Sequence, residues 1–185
     1  IGIDLNKEFK KFEDKKNNIE IFIGNQSDEQ FWDNFFDSVG KVDVILDDGG
    51  HTNIDQIITA TKVIENIKDG GLLATEDTHT SYLKEYNSSV KLSFINFVKR
   101  MIDDLNSNID LKTNIEKQYS LKKYIYSIEF FESVVVFNID KSKTNKNYNM
   151  SNSGKFHSIK NFINKGNEFF LKKKLGHYEN YYFFK

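Results

Sequence analysis

The residues best suited to chemistry stand in the run 47–51, which reads DDGGH. Two adjacent carboxylates, Asp47 and Asp48, repel each other and lose hydration at a cost unless a cation or hydrogen-bond donors compensate them. Histidine is the residue type that most often takes a proton from a hydroxyl near neutral pH. The glycines between them allow a sharp turn and would bring His51 to the mouth of a cleft. The run predicts a cation site beside a general base.

A second acidic pair, Glu76 and Asp77, follows the next predicted strand. Adjacent strands lie about 4.8 Å apart, so Asp48 can approach this pair. Three converging carboxylates favour a hard divalent cation, which we expect to be Mg²⁺, with Mn²⁺ or Ca²⁺ as alternatives. His51, His79 and one carboxylate could instead bind non-haem iron as a facial triad, but that would leave the other carboxylates unexplained. His79 otherwise reads as a surface residue.

Polar residues also follow the first two predicted strands, as Asp4 and then Asn25 and Gln26. Ligands of doubly wound sheets bind outside the carboxyl ends of the strands, where a carboxylate accepts hydrogen bonds from ribose hydroxyls. We predict that role for Asp4. A glycine-rich loop should lie about 20 residues before such a carboxylate. Only three residues precede Asp4, so we expect that loop, with its strand, ahead of Ile1.

The elements that must position these residues alternate between strand and helix. A capping box at Ser27 and Gln30 begins one helix, which Gly40 ends, and Thr52 caps a second helix that runs as far as Ile67. Strands are predicted at residues 1–4, 19–23, 42–47 and 72–75, and a third helix at 89–106. The near-continuous apolar run 42–47 is typical of a strand covered on both faces. The pattern predicts an α/β fold with a doubly wound, mostly parallel, Rossmann-like sheet.

The second half of the chain has a different pattern. Residues 124–130 and 133–139 predict two strands of an antiparallel edge hairpin, separated by Phe131 and Glu132. Residues 141–155 are rich in Lys, Asn and Ser and indicate a linker. Residues 156–175 are weakly helical, and 178–184 form an aromatic cluster that suits core or subunit packing. We therefore expect one domain at 1–140 and an extension at 141–185 that could support a homo-oligomer.

Composition narrows the function classes. The 185 residues suit one domain, and the absence of cysteine excludes disulfides, Cys-ligated metals and thiol nucleophiles. The formal charge of −1 argues against a protein that coats nucleic acid. No apolar run approaches the roughly 20 residues that span a membrane, and the sequence shows no signal peptide. We expect a soluble, cytoplasmic protein without nucleic-acid or membrane partners.

The segments IGIDLN, FIGNQSD, VILDDGGHT and KDGGLLATEDTHTSY together resemble class I S-adenosylmethionine-dependent methyltransferases. Within that class they are similar to the magnesium-dependent sugar O-methyltransferases of the macrocin and mycinamicin type. The similarity covers residues 1–86, with a weaker match in SIEFFESVVVF. It implies metal-assisted methylation of a sugar hydroxyl, with S-adenosylmethionine and Mg²⁺ as cofactors and a small-molecule or sugar acceptor as substrate.

The resemblance also implies a role for each candidate residue. Asp4 would hold the cofactor ribose, Asn25 and Gln26 would contact adenine, Asp47 would lie near the methionine end, Asp48, Glu76 and Asp77 would bind the metal, His51 would be the general base, and Tyr82 would lie beside the acceptor. Two features depart from the pattern. Asp69 replaces the usual proline before Gly-Gly, and the central strand with its glycine-rich loop is absent from these residues. Without that strand we expect cofactor binding to be weak or absent.

Two other function classes stay open at this point. A nicotinamide-dependent sugar dehydrogenase or epimerase usually carries a Tyr-x-x-x-Lys pair, yet neither Tyr82 nor Tyr86 is followed by Lys four residues later. A non-catalytic module could retain the methyltransferase fold without the missing loop. Ligand binding separates these classes, because only the methyltransferase should respond to S-adenosylhomocysteine.

Overall fold

The computed structural model describes residues 1–86, 90–106 and 121–144, all within the first of two compact units, Ile1–Lys146. The strands are β1 (Gly2–Asp4), β2 (Ile21–Ile23), β3 (Val42–Asp47), β4 (Ile67–Thr75), β5 (Ile125–Phe131) and β6 (Val134–Ile139). The helices are α1 (Glu29–Val39), α2 (Asn53–Val63) and α3 (Phe94–Asn106), joined by short 3-10 helices. The predicted helical segment 156–175 and aromatic cluster 178–184 lie outside the described residues.

The strands form two separate sheets in the described part of the chain. β1 pairs with β2 in parallel, and the larger sheet has the order β3-β4-β6-β5. β3 and β4 are parallel, whereas β6 is antiparallel to both β4 and β5. The α/β class and the antiparallel hairpin are therefore confirmed. The single, mostly parallel sheet is not observed, because a cavity separates β1 from β3.

The three helices pack into one core on one face of the larger sheet. Trp32, Phe35 and Phe36 of α1 are buried because they recur every three or four residues and so share one side of the helix. Phe94 of α3 contacts Phe137 of β6 edge to face, with ring centroids 6.4 Å apart. The small sheet joins the same core, since the rings of Phe22 and Phe35 lie 4.9 Å apart.

The opposite face of β3 is open in the described residues. Val44 and Leu46 are each 61% exposed, whereas Asp47 is buried. The prediction that β3 is covered on both faces is wrong for these residues, because α1, α2 and α3 all pack on the other side. The second helical layer of a doubly wound sheet stays a prediction.

Several element boundaries differ from those predicted. Asp28 caps α1, because both the backbone N–H and the hydroxyl of Ser27 bond to Asn25 in the preceding turn. α2 ends at Val63 rather than at Ile67, and β4 begins at Ile67 rather than at residue 72. The hairpin turn is shifted by one residue, and Ser133 adopts φ 62° there. β2 begins at Ile21 and α3 at Phe94, later than predicted.

Candidate active site

The carboxyl ends of β3 and β4 lie side by side and bring two loops together. Asp47 is the register partner of Thr75, and the backbone N–H of Glu76 donates to the carbonyl of Asp47 at 2.9 Å. The loop that carries Asp48 and His51 is therefore next to the loop that begins at Glu76. This is the edge at which ligands bind in parallel α/β sheets.

Asp48, His51 and Asp77 form a group that could hold a metal ion, with one ligand atom from each within 4.8 Å of the others. Nε2 of His51 lies 3.9 Å from Oδ1 of Asp48 and 3.5 Å from Oδ2 of Asp77. Among the described residues, the ion pairs of these carboxylates are with histidines alone. Two carboxylates without a Lys or Arg partner, beside an imidazole, fit a divalent cation.

Two members of this group have a backbone conformation that few residues adopt. His51 has φ 51° and Asp77 has φ 52°, both in the left-handed region. Such a conformation costs on the order of 1 kcal/mol and persists where the surrounding structure enforces it, commonly at functional sites. The hydroxyl of Thr80 provides part of that constraint, because it lies 2.8 Å from the carbonyl oxygen of His51 and 2.9 Å from that of Asp77.

The structure does not place Glu76 in this group. Its backbone carbonyl accepts a hydrogen bond from Nε2 of Gln56 at 3.0 Å, so its main chain connects β4 to α2. A metal-binding role for its side chain stays a prediction. His79 is also outside the group, with Nδ1 2.6 Å from the hydroxyl of Ser133 in the hairpin turn. The iron site considered above required His51 and His79 in one group.

Asp47 is buried at the end of β3, only 8% exposed. Burial raises the pKa of its carboxyl to about 6, although hydrogen bonds from Gln26 and the Gly49 backbone partly oppose the rise. One oxygen accepts from Gln26, whereas Oδ2 is buried without a hydrogen-bond partner. Buried acceptors in proteins nearly always have a donor, so this oxygen is suited to a hydrogen bond from a ligand.

Gln26 ties the two sheets together at this edge. Its Nε2 donates to Asp47 at 3.0 Å and to Thr59 at 3.2 Å, and its Oε1 accepts from the backbone of Gly50 at 2.6 Å. A Cβ at Gly49 would lie 2.0 Å from Oε1, so a larger residue there would displace the Gln26 amide from these hydrogen bonds. Neither glycine of the loop has a positive φ, and the sharp turn falls on His51 instead. The predicted contact of Gln26 with adenine stays a prediction.

Three further predicted residues, Asp4, Asn25 and Tyr82, lie at strand ends or in the loop after β4. Oδ1 of Asp4, at the end of β1, accepts from the backbone of Asn6 at 2.7 Å. Asn25 follows β2, is exposed, and accepts from the backbone of Ser27 at 3.0 Å. Tyr82 is exposed at the end of the 3-10 helix Thr78–Tyr82. Their proposed contacts with cofactor and acceptor stay predictions.

Sequence reasoning missed the polar residues that fix the loop after β4. The buried Oδ1 of Asn53 accepts from the backbone of Phe94 at 2.8 Å and from the hydroxyl of Ser81 at 3.2 Å. Ser81 in turn accepts from the backbone of Ile95 at 3.2 Å. This network connects the starts of α2 and α3 to the site. In sequence, Asn53 has only the appearance of a residue near a helix cap.

The fold is similar to that of a methyltransferase of known structure. The chain matches the MycE methyltransferase from the mycinamycin biosynthetic pathway, in complex with Mg and SAH, with a TM-score of 0.66 and 19% identity over 75% of this chain and 36% of that one. A second structure, with Mg, SAH and mycinamycin VI, matches with a TM-score of 0.65, 19% identity and the same coverage.

In sequence the chain is similar to the 8-demethyl-8-alpha-L-rhamnosyl tetracenomycin-C 2'-O-methyltransferase of Streptomyces olivaceus, with 27% identity over 92 residues. That match covers 48% of this chain and 24% of the enzyme. The chain thus spans about a quarter to a third of the lengths of these proteins. No protein-family profile matches it. None of its described helices is long and apolar enough to cross a membrane.

Proposed function

We propose that residues 1–140 form the catalytic part of an S-adenosylmethionine-dependent enzyme that methylates a sugar hydroxyl with the help of a divalent cation, and that 141–185 are an extension of it. The observation that carries the proposal is the group formed by Asp48, His51 and Asp77, at the strand ends of a fold shared with a methyltransferase solved with Mg. Sugar acceptors are supported by the rhamnosyl 2'-O-methyltransferase relative.

Asp48 and Asp77 are the proposed ligands of Mg²⁺, with Glu76 as a third. A divalent cation held there would lower the pKa of a neighbouring acceptor hydroxyl. The positive charge of the cation would also offset the negative charges of Asp48 and Asp77. Among the described residues, these two carboxylates form ion pairs only with histidines. Tyr82, exposed beyond Asp77, would contact the acceptor sugar.

His51 is the proposed general base. In this proposal Asp48 and Asp77 bind the cation, and Nε2 of His51, 3.5 Å from Oδ2 of Asp77, takes the proton of the acceptor hydroxyl and does not bind the metal. In the transfer, the bond from the methyl carbon to sulfur breaks, a bond to the sugar oxygen forms, and the hydroxyl proton passes to Nε2. The hydrogen bond from the Thr80 hydroxyl to the His51 carbonyl, 2.8 Å long, helps to hold the loop that carries this ring.

Asp4, Asn25, Gln26 and Asp47 are the proposed residues for S-adenosylmethionine. Asp47 fits the methionine end, because its buried Oδ2 lacks a donor and an ammonium group would supply one. Asp4 would accept from ribose hydroxyls, and Asn25 and Gln26 would face adenine. This arrangement follows the predicted order of a doubly wound sheet, with ligands at the carboxyl ends.

A titration with Mn²⁺, followed by electron paramagnetic resonance, tests the metal group. We expect wild-type protein to bind the ion, and Asp77→Asn to weaken binding about tenfold or more, because asparagine tolerates the left-handed backbone but lacks the charge. Asp43→Asn is the matched control, since Asp43 is an exposed carboxylate on β3 that pairs with Lys68 of β4. Equal Mn²⁺ affinity in all three proteins would contradict the assignment.

A further inference from the structure

The backbone on either side of Asp77 is bonded to three other elements. The N–H of Glu76, which precedes Asp77, donates to the last carbonyl of β3 at 2.9 Å. The carbonyl of Glu76 accepts from Nε2 of Gln56, on α2, at 3.0 Å. The N–H of Thr78, which follows Asp77, donates to the carbonyl of Ser133 in the hairpin turn at 3.0 Å. Of these three bonds, only the one from Gln56 is made by a side chain.

Gln56 is a polar residue on the buried side of α2. It is 1% exposed and lies one helical turn before Ala60, which belongs to the hydrophobic core. Only half of its amide is used, because Oε1 is buried without a hydrogen-bond partner. An unpaired buried oxygen destabilises the folded state, and an apolar side chain of the same size would avoid that cost. The bond from Nε2 therefore explains the glutamine better than core packing does.

Unpaired buried groups are concentrated at this edge of the fold. In the described part of the chain, the buried side-chain atoms without a hydrogen-bond partner are Oδ2 of Asp47, Nδ2 of Asn53, Oε1 of Gln56 and Oγ1 of Thr75. Two of these residues end the neighbouring strands β3 and β4, and the other two lie in the first turns of α2. Local costs of this kind gather at functional sites, where the position of a group matters more than stability.

Asp77 needs a constraint from outside because its backbone is left-handed, with φ 52°. An aspartate is less stable there than in an extended or helical conformation, so a loop with free ends would relax. The carbonyl that Gln56 holds lies in the same planar peptide group as the nitrogen of Asp77. The rotation φ of Asp77 starts at that nitrogen. Fixing the peptide plane therefore sets the direction in which the Asp77 side chain leaves the backbone.

We propose that Gln56 is a positioning residue for Asp77, the proposed metal ligand. Its amide holds the peptide plane before Asp77 and thereby the carboxylate, whose Oδ2 lies 3.5 Å from Nε2 of His51. Gln56 acts through the main chain of Glu76 and not through contact with the cation. The proposal rests on the metal group proposed above, because it concerns the direction of one ligand of that group.

The variant Gln56→Met tests this role, since methionine has a similar volume but no N–H to donate. Mn²⁺ affinity, followed by electron paramagnetic resonance, should fall about tenfold, the size expected when a partner that orients a ligand is lost. The unfolding temperature should stay within about 4 °C of that of the wild type, because the change removes the unpaired oxygen together with the hydrogen bond. A glutamine with a structural role alone would give a lower unfolding temperature and an unchanged Mn²⁺ affinity.

Nuclear magnetic resonance follows the Asp77 backbone in the metal-free protein, because Cα and Cβ chemical shifts depend on φ and ψ. We expect left-handed shifts for Asp77 in the wild type and a change toward extended or helical values in Gln56→Met. Asn18 is the internal control, since it has φ 56° in the turn before β2 and should keep its shifts. Gln56→Leu is the second variant, in case Gln56→Met does not fold.

The matched control variant is Asn66→Leu. Nδ2 of Asn66 donates to the carbonyl of Lys62 at 2.9 Å, beyond the carboxyl end of α2. The substitution therefore also removes a bond from a side-chain amide to a main-chain carbonyl, but away from the metal group. It should leave both the Mn²⁺ affinity and the Asp77 shifts unchanged.

Two outcomes would overturn the proposal. The first is an unchanged Mn²⁺ affinity or unchanged Asp77 shifts in Gln56→Met, because the position of Asp77 would then not depend on this amide. The second is an equal loss of affinity in Gln56→Met and Asn66→Leu, which would indicate general loosening of the fold. If the wild type binds no Mn²⁺, the metal site fails, and the Asp77 shifts of the metal-free protein still decide whether Gln56 holds this backbone.

Discussion

His51 and Asp77 are positioned by an unusual backbone conformation, in addition to the chemistry that is proposed for their side chains. Both are left-handed, and the Thr80 hydroxyl lies within hydrogen-bond distance of both carbonyl oxygens. An alanine at His51 would therefore change the loop as well as remove the base. Asparagine is the better replacement, because it tolerates this backbone region.

We predict that His51→Asn lowers the rate of methyl transfer at least 100-fold, the size expected for loss of a general base. S-adenosylhomocysteine affinity should change little, because the proposed cofactor residues are Asp4, Asn25, Gln26 and Asp47. Radiolabel transfer gives the rate, and calorimetry gives the affinity. Asp43→Asn is the control, since Asp43 is an exposed carboxylate paired with Lys68 and lies outside the metal group. Equal losses of rate and affinity in His51→Asn would point to a structural histidine.

Asp47 predicts a pH-dependent stability of the cofactor-free protein. Its pKa rises from 3.8 to about 6 on folding, so the folded state prefers the protonated carboxyl. That contribution to stability is complete below pH 3.8 and is lost as the pH rises through about 6. Asp47→Asn should therefore raise the free energy of unfolding by about 1–3 kcal/mol at pH 8 and by much less near pH 4.

Urea unfolding at the two pH values measures this difference. The exposed Asp43→Asn serves as control, with an expected change within about 0.5 kcal/mol at both pH values. A gain for Asp47→Asn that is the same at pH 4 and pH 8 would show that burial of the charge is not its cause.

At the level of elements, two neighbouring residues are candidates for the cap of α1. The sequence pattern predicts Ser27, whereas the structure has Asp28. Asp28→Ala should cost about 1 kcal/mol, because the Asp28 carboxylate accepts from the backbone of Gln30 at the first turn. Ser27→Ala should cost less, since Ser27 bonds to Asn25 outside the helix. Thermal unfolding of both variants gives the comparison. A larger loss of stability in Ser27→Ala than in Asp28→Ala would contradict this assignment and support the capping box predicted from the sequence.

Elements could be predicted where the residues act locally. Spacing of apolar residues located α1, and alternating turn and strand signals located β3, β4 and the hairpin. The acidic ends of β3 and β4 could be expected to meet, because parallel neighbours share an edge. The exposure of one face of β3 could not be predicted, because an apolar run is the same in sequence whatever packs against it.

The sequence could predict which candidate residues meet at the site, but not the hydrogen bonds that hold their loops in place. Asp48, His51 and Asp77 come together as expected, whereas the Glu76 side chain is not in their group. The bonds from Gln26 to Asp47 and from Asn53 to Ser81 and α3 join residues at least 20 positions apart. No local spacing encodes such contacts, and they fix the loops that carry the chemistry.

At the scale of the whole molecule, the described strands form two sheets that line a common cavity. The chain aligns with 24% of the rhamnosyl methyltransferase and with 36% of MycE. Its described residues include the candidate metal group, Asp48, His51 and Asp77, and the proposed cofactor residues, and the cavity between β1 and β3 separates the two sheets that carry them.

Transfer of a labelled methyl group tests the central claim most directly. The protein is incubated with methyl-labelled S-adenosylmethionine, a rhamnosylated acceptor and Mg²⁺, and the product is identified by mass spectrometry. We predict that label appears on a sugar oxygen, that excess EDTA stops the transfer, and that added Mg²⁺ restores it. Transfer that continues unchanged in excess EDTA, or label on an atom other than a sugar oxygen, would contradict the account.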